Sequence, residues 1–227
     1  MIDLASIEQQ YEAVNGDVLT GMAGRDTHIT IAAGAVVTLQ DVFIVVSGDD
    51  WAGITCLGDA TLVLKGFNTV KTLYGEYPAV FPAEGATLCI KGPGSLQVSC
   101  GGKGAGIGGG YQKACGNITI KSGIIVAQGG YMAAGIGGGY QKSCGDIVLE
   151  GTVVISNGGT CAASIGSGFC GQCGSITISD KVVQVTAVKI ASGEYANDNI
   201  GKGTGGTCGT VNIAPKANII EESVTIK

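Results

Sequence analysis

The sequence is poor in the side chains on which much hydrolytic and nucleic-acid chemistry depends. Among 227 residues it has a single histidine, His28, and a single arginine, Arg25. A Ser-His-Asp or Cys-His arrangement would have to use His28, which stands in an irregular N-terminal stretch with no evident partner. Scarce arginine and a net charge of −5 argue against a nucleic-acid-binding surface. No apolar run approaches the length of a membrane span. No segment has the charged start and apolar core of a signal peptide, although a cleaved leader would leave no trace. Charged residues make up 14 % against 45 % hydrophobic ones, which excludes a disordered chain. The glycine runs at 108–110 and 137–139 lack the Gly-Lys-Ser/Thr ending of a phosphate loop and read as corners.

What the sequence has in excess is glycine, 41 residues, and cysteine, nine. The glycines follow no Gly-X-Y period; they punctuate short apolar runs, as repeated tight corners would. An internal repeat is the cause. Ala105-Gly-Ile107-Gly-Gly-Gly-Tyr111-Gln112-Lys113-Ala114-Cys115-Gly116 returns as Ala134-Gly-Ile136-Gly-Gly-Gly-Tyr140-Gln141-Lys142-Ser143-Cys144-Gly145, and in weaker form around Ile165 and Ile200. Ile54 and Val80 fit the same frame upstream, giving steps of 26, 27, 29, 29 and 35 residues. Each unit then carries a strand that is apolar at every second position: Leu62/Leu64, Leu88/Ile90, Ile118/Ile120, Ile147/Leu149, Ile176/Ile178 and Val211/Ile213. Period two excludes an α-helix, and the intervening Val63, Cys89, Thr119, Val148, Thr177 and Asn212 are expected to face outward.

The expected fold is all-β: a single-domain parallel β-helix, a solenoid of about six to seven coils of 26–35 residues. Residues 1–50 read as an N-terminal cap and irregular first coil, 51–213 as the repeats, and 214–227 as a C-terminal cap. Ser6 followed by Gln9 predicts a short capping helix over 7–14. The apolar ending from Ile219 to Val224 is expected to shield the other open edge.

An odd number of cysteines cannot all pair within one chain. Cys170 and Cys173 make a lone C-x-x-C, a weak metal or redox signal. Cys115, Cys144, Cys173 and Cys208 each stand eight residues after the central isoleucine, so stacking brings successive thiols within disulfide reach. Oxidised, they would staple adjacent coils; reduced, they would simply pack. Cys89, outward on its strand, is the expected exposed thiol.

Offsets from the central residue define the candidate sites. Trp51 and Tyr77 stand three residues before it on adjacent coils, followed at that position by only Gly104, Ala133 and Ala162. Such a pair suits a sugar ring, or else covers the end of the core. One position earlier come Asp50, Glu76 and Lys103. Stacking sets the two carboxylates roughly 5 Å apart at the backbone, near the separation used by retaining glycoside hydrolases. The competing readings are a solvated charge ladder or, with Asp49, a calcium site built of oxygen ligands. Four residues past the isoleucine, Tyr111, Tyr140 and Phe169 form a second aromatic row, flanked by Gln112 and Gln141, then Lys113 and Lys142. Those rows suit an acidic glycan, or stabilise one face of the solenoid.

The run Asn15-Gly-Asp-Val-Leu-Thr-Gly21, the segment Trp51-Ala-Gly-Ile-Thr-Cys56-Leu-Gly-Asp59-Ala-Thr and the serial Ala-Gly-Ile-Gly-Gly units together resemble a known group. It comprises the repeat domains of secreted and surface proteins of gut anaerobic bacteria, adhesin-like or carbohydrate-binding. The resemblance covers nearly the whole chain and carries over no catalytic motif. It implies an extracellular or cell-surface β-helix with a glycan or cell-surface partner. The expected function is a non-catalytic domain that binds glycans or mediates adhesion. The alternatives are a glycan-active enzyme, hydrolase or lyase, acting through Asp50 and Glu76, or a structural spacer. No cofactor other than calcium is expected, and the oligomeric state is open.

Overall fold

Alternating apolar residues fold as short strands, and the repeat stacks those strands coil on coil. The computed structural model describes residues 1–191 and 197–225, and it is a parallel β-solenoid. Among the described residues, thirteen strands form one sheet, eight form a second, and a two-stranded pair lies apart. The eight-stranded sheet threads Tyr11, Ile29, Ile54, Val80, Ile107, Ile136, Ile165 and Ile200 into one column. The frame expected from Ile54 to Ile200 is therefore reproduced residue for residue. In the larger sheet Leu88, Ile118, Ile147, Ile176 and Val211 form an equivalent column. Side chains from the two sheets meet between them as one continuous core.

Three expectations are corrected. No helix forms over 7–14. Gln10–Ala13 is a strand, paired with His28–Ile31, so the first fifty residues supply two rungs of the eight-stranded sheet. Tyr11 and Ala13, spaced by two, turn toward the core, and pairing to the next coil meets the backbone's hydrogen-bonding needs. The cap is instead a 3-10 turn at Leu4–Ser6, begun by the Asp3 carboxylate accepting the Ala5 N–H at 3.0 Å. Leu4, fully buried, plugs that end.

The second correction is one of register. Leu88 pairs with Ala60 and Ile90 with Leu62, a slip of two residues from the expected alignment. The connection after Val80 is two residues longer than that after Ile54. An even slip keeps every side chain on its own face, so the outward positions are as expected.

The third concerns the C-terminal end. Ile219–Thr225 covers the edge of Gln184–Ala191 by adding a further parallel rung, but it leaves the neighbouring rung Val211–Ile213 uncovered. Residues 226–227 of the expected cap lie outside the described residues. Val211 and Ile213 continue columns that are buried in the preceding coils, yet they are 38 % and 41 % exposed. On the last rung Glu221 stands over buried Ala187, and an inward charge of this kind discourages edge-to-edge pairing.

From Ile107 onward the coils change character. The residue after the central isoleucine is Gly108, Gly137, Gly166 or Gly201, with φ between 130° and 138°. A Cβ on Gly137 would lie 2.1 Å from the carbonyl oxygen of Gly166 in the next coil. After these glycines the chain folds back over the short sheet. The Tyr111 N–H donates to the Glu76 carbonyl (2.7 Å), Tyr140 to Lys103 (3.4 Å), Phe169 to Met132 (3.0 Å) and Thr204 to Cys161 (2.8 Å). Each bond joins a residue four past the central position to one four before it in the preceding coil.

Gly137→Ala should accordingly be far more damaging than Gly16→Ala. Gly16 also has a positive φ, but open space surrounds it, so alanine there should cost about 1 kcal/mol of backbone strain. Chemical unfolding of the two variants should show a loss at Gly137 of roughly 3 kcal/mol or more, because a backbone clash adds to the strain. Equal losses would contradict the close inter-coil approach.

Candidate functional site

The fold-back bonds bring together rows that are separate in sequence. Because Tyr111 is tied to Glu76, its loop lies on the corner that carries Tyr77. The Lys113 ammonium sits 4.5 Å from the centre of the Tyr77 ring, and that of Lys103 sits 4.4 Å from the centre of Tyr111. Tyr77 meets Phe81 edge to face at 6.2 Å. Tyr111 stacks on Tyr140 at 5.2 Å, and Tyr140 leans on Phe169 at 5.7 Å. Lys142, two residues past Tyr140 in the chain, is exposed. The corner is thus a strip of half-buried aromatic rings set with ammonium groups. Each cation–π contact contributes about 0.5–1 kcal/mol at an exposed site, enough to fix a lysine that would otherwise wander.

The loop tips have an unusual backbone. Gln112, Gln141 and Cys170 occupy the left-handed region at φ 53°, 62° and 52°, where the last coil uses Gly205 at 68°. A side chain in that conformation costs roughly 1 kcal/mol or more, yet three coils retain one. The Gln112 amide donates to the Tyr111 hydroxyl at 3.2 Å.

Trp51 belongs elsewhere. It stacks on His28 of the preceding coil, 5.5 Å between ring centres and 26° between planes, whereas Tyr77 turns to Phe81 and Lys113. The two aromatics therefore serve separate clusters. Beside the His28–Trp51 stack lies a cleft of about 330 Å³ lined by Gln9, Gln10, Asp26, His28 and Trp51. His28 Nε2, Thr30 Oγ1 and Trp51 Nε1 are buried without hydrogen-bond partners. Burial pushes the His28 pKa below its usual value. The sequence offered no partner for His28, but a signal for Trp51 existed: His28 directly precedes Ile29, and the frame carried one coil upstream of Ile54 brings the two together.

Asp49, Asp50 and Glu76 are all exposed. The N–H groups of Glu76 and Tyr77 both donate to the Gly48 carbonyl at 3.1 Å, so this loop stacks against Gly48 rather than in line with Asp50. Among the described residues no three His, Cys, Asp or Glu side chains converge as a metal-binding group. Of the aligned cysteines, Cys173 and Cys208 form a disulfide, while Cys115 and Cys144 are buried. The exposed thiol is Cys170, at a loop tip, rather than Cys89, which is half-buried between neighbouring rungs of the large sheet. Burial pushes the Cys56 thiol up to about 12. No helix among the described residues is long and apolar enough to cross a membrane. No protein-family model, curated protein or solved structure matches the chain.

Trp51 is the only tryptophan, so its emission reports on the imidazole stacked against it. The folded state resists protonating His28, so stability should be full above pH 6.5 and decline as pH falls from there through the lowered folded pKa. Trp51 fluorescence should titrate with a midpoint below 6.5, and His28→Gln should remove both that titration and the associated fall in melting temperature. A midpoint at or above 6.5 would contradict the burial of the ring.

Proposed function

We propose that this chain is a secreted or cell-surface β-solenoid that binds anionic glycans without catalysis, through the Tyr77–Lys113–Tyr111–Tyr140 corner. One observation carries the reading: in a chain of net charge −5, Lys103 and Lys113 are held over tyrosine faces on one strip, and exposed Lys142 is the repeat equivalent of Lys113 one coil on. Lysines already cover the faces of Tyr77 and Tyr111, so the strip offers placed ammonium groups more than bare stacking platforms. That favours a carboxylate or sulfate over a neutral sugar ring. Lys113 and Lys142 also recur one coil apart, as a polymer bearing an acid on successive rings would require. The resemblance of the Ala-Gly-Ile-Gly-Gly units to adhesin-like repeat domains of gut anaerobes supports the extracellular setting and an adhesive role.

Calorimetric titration with polygalacturonate, and with dextran as the neutral control, tests this reading. Only the acidic polymer should bind, with an affinity that falls as salt rises. Lys113→Ala combined with Lys142→Ala should weaken binding roughly tenfold or more, about 1.4 kcal/mol, whereas Trp51→Ala should leave it unchanged. Equal binding of both polymers, or an intact affinity in the double-lysine variant, would sink the proposal.

A further inference from the structure

We infer that Cys115 and Cys144 are the site of a second inter-coil disulfide, which pairs with the Cys173–Cys208 bond to staple four successive coils in twos. The four cysteines stand in single file, eight residues past Ile107, Ile136, Ile165 and Ile200. Cys173 and Cys208 are direct partners on adjacent strands, with Cα atoms 4.5 Å apart. Cys144 and Cys173 are bridge partners in the same sense. One coil earlier the backbone geometry repeats: the Cys115 N–H donates to Ser143 at 3.0 Å, as that of Cys144 does to Gln172 at 2.9 Å. The thiols share a direction as well. Sγ of Cys115, Cys144 and Cys173 each points at the carbonyl of the glycine after the next coil's isoleucine, at 3.7, 3.7 and 3.6 Å. Both thiols are buried and unbonded to any other cysteine.

A file of four pairs without remainder in one way, 115–144 and 173–208. The alternative bond, 144–173, would strand Cys115 and Cys208 three rungs apart. The other five cysteines lie off the file.

Closure needs an oxidant, and a small-molecule disulfide such as oxidised glutathione suffices. One cysteine thiolate attacks it, releasing one glutathione thiolate and leaving a mixed disulfide. The second cysteine then displaces the other glutathione, and the two cysteine protons end on the two released thiols. The neighbouring Cys144 thiol, followed by burial, raises the Cys115 pKa well above its usual value, so exchange in the closed fold is slow.

The bond would have a consequence at the surface, and this part rests on the proposed glycan reading. The loops ending at Cys115 and Cys144 carry Tyr111 to Lys113 and Tyr140 to Lys142. Joining them fixes the spacing of the two lysines that the anionic polymer would meet.

Disulfide mapping decides the matter. The full chain is held in oxidised glutathione at mildly alkaline pH, with sub-denaturing urea to open buried sites, then denatured in an alkylating agent and mapped by mass spectrometry. Two linkages, 115–144 and 173–208, are expected, and Cys144→Ser should abolish the first while leaving the second. Circular dichroism confirms that the variant folds, and Cys115→Ser serves if it does not. Alkylated Cys115 and Cys144 in the oxidised protein, or a dominant 144–173 linkage, would overturn the inference. Polygalacturonate titration of the oxidised and reduced forms separates the two claims. The oxidised form should bind roughly two- to tenfold more tightly. An unchanged affinity with the linkage present overturns the coupling alone, and no binding by either form overturns the glycan reading while the staple stands.

Discussion

Parallel pairing between coils is the constraint from which everything else in this molecule follows. Each rung bonds to the rung of the coil above and the coil below, so a position in the repeat becomes a column in space. Neighbouring strands lie about 4.8 Å apart, and a side chain that suits one coil must suit its copies at that distance. The isoleucine column satisfies this by burial and the tyrosine row by ring stacking. The glycine column satisfies it by having no side chain where the next carbonyl passes. The cysteine file satisfies it by being able to bond to itself.

The same constraint sets where chemistry can occur. Uniform columns make flat, repetitive faces, and local sites arise where one coil departs from the next. The departure at Ile107 is the decisive one. Upstream, Thr30, Thr55 and Phe81 follow the central residue; downstream, glycine does, and the loop turns back across the sheet. Tyr77 belongs to the last coil of the first kind and Lys113 to the first of the second kind, and they meet at the junction. Upstream of that junction, Trp51 and His28 stack on each other across adjacent early rungs.

The column from Ile54 to Ile200 was legible because repetition and stacking are the same fact seen in one and in three dimensions. The rung of Tyr11 was not legible: it stands 18 residues before Ile29 and lacks the glycine signature, whereas Ile29, 25 residues before Ile54, falls close to the repeat step. The two aromatic rows were each visible, but their union was not. It depends on a bond between Tyr111 and Glu76, at unlike offsets in different coils, which aligning like offsets cannot reveal. The C-terminal segment was legible as cover for the open edge, and only its register with Gln184–Ala191 shows that it covers that edge as one more rung. Asp50 and Glu76 share an offset, but the intervening loop slips, since both Glu76 and Tyr77 bond to Gly48.

The glycine that follows each central isoleucine has a consequence for how this chain can change over time. The space a side chain would need at Gly137 is filled by the backbone of Gly166, and at Gly166 by that of Gly201. No one of them is free to drift while the others stay. Adding or removing a single residue within a rung would throw every column above it out of phase. Duplicating or deleting a whole 29-residue coil, of the kind that separates Ile107, Ile136 and Ile165, would leave each column intact and only longer or shorter. The molecule is thus quantised in length: point substitution is resisted where the coils touch, and gain or loss of entire turns is the change its geometry permits most readily.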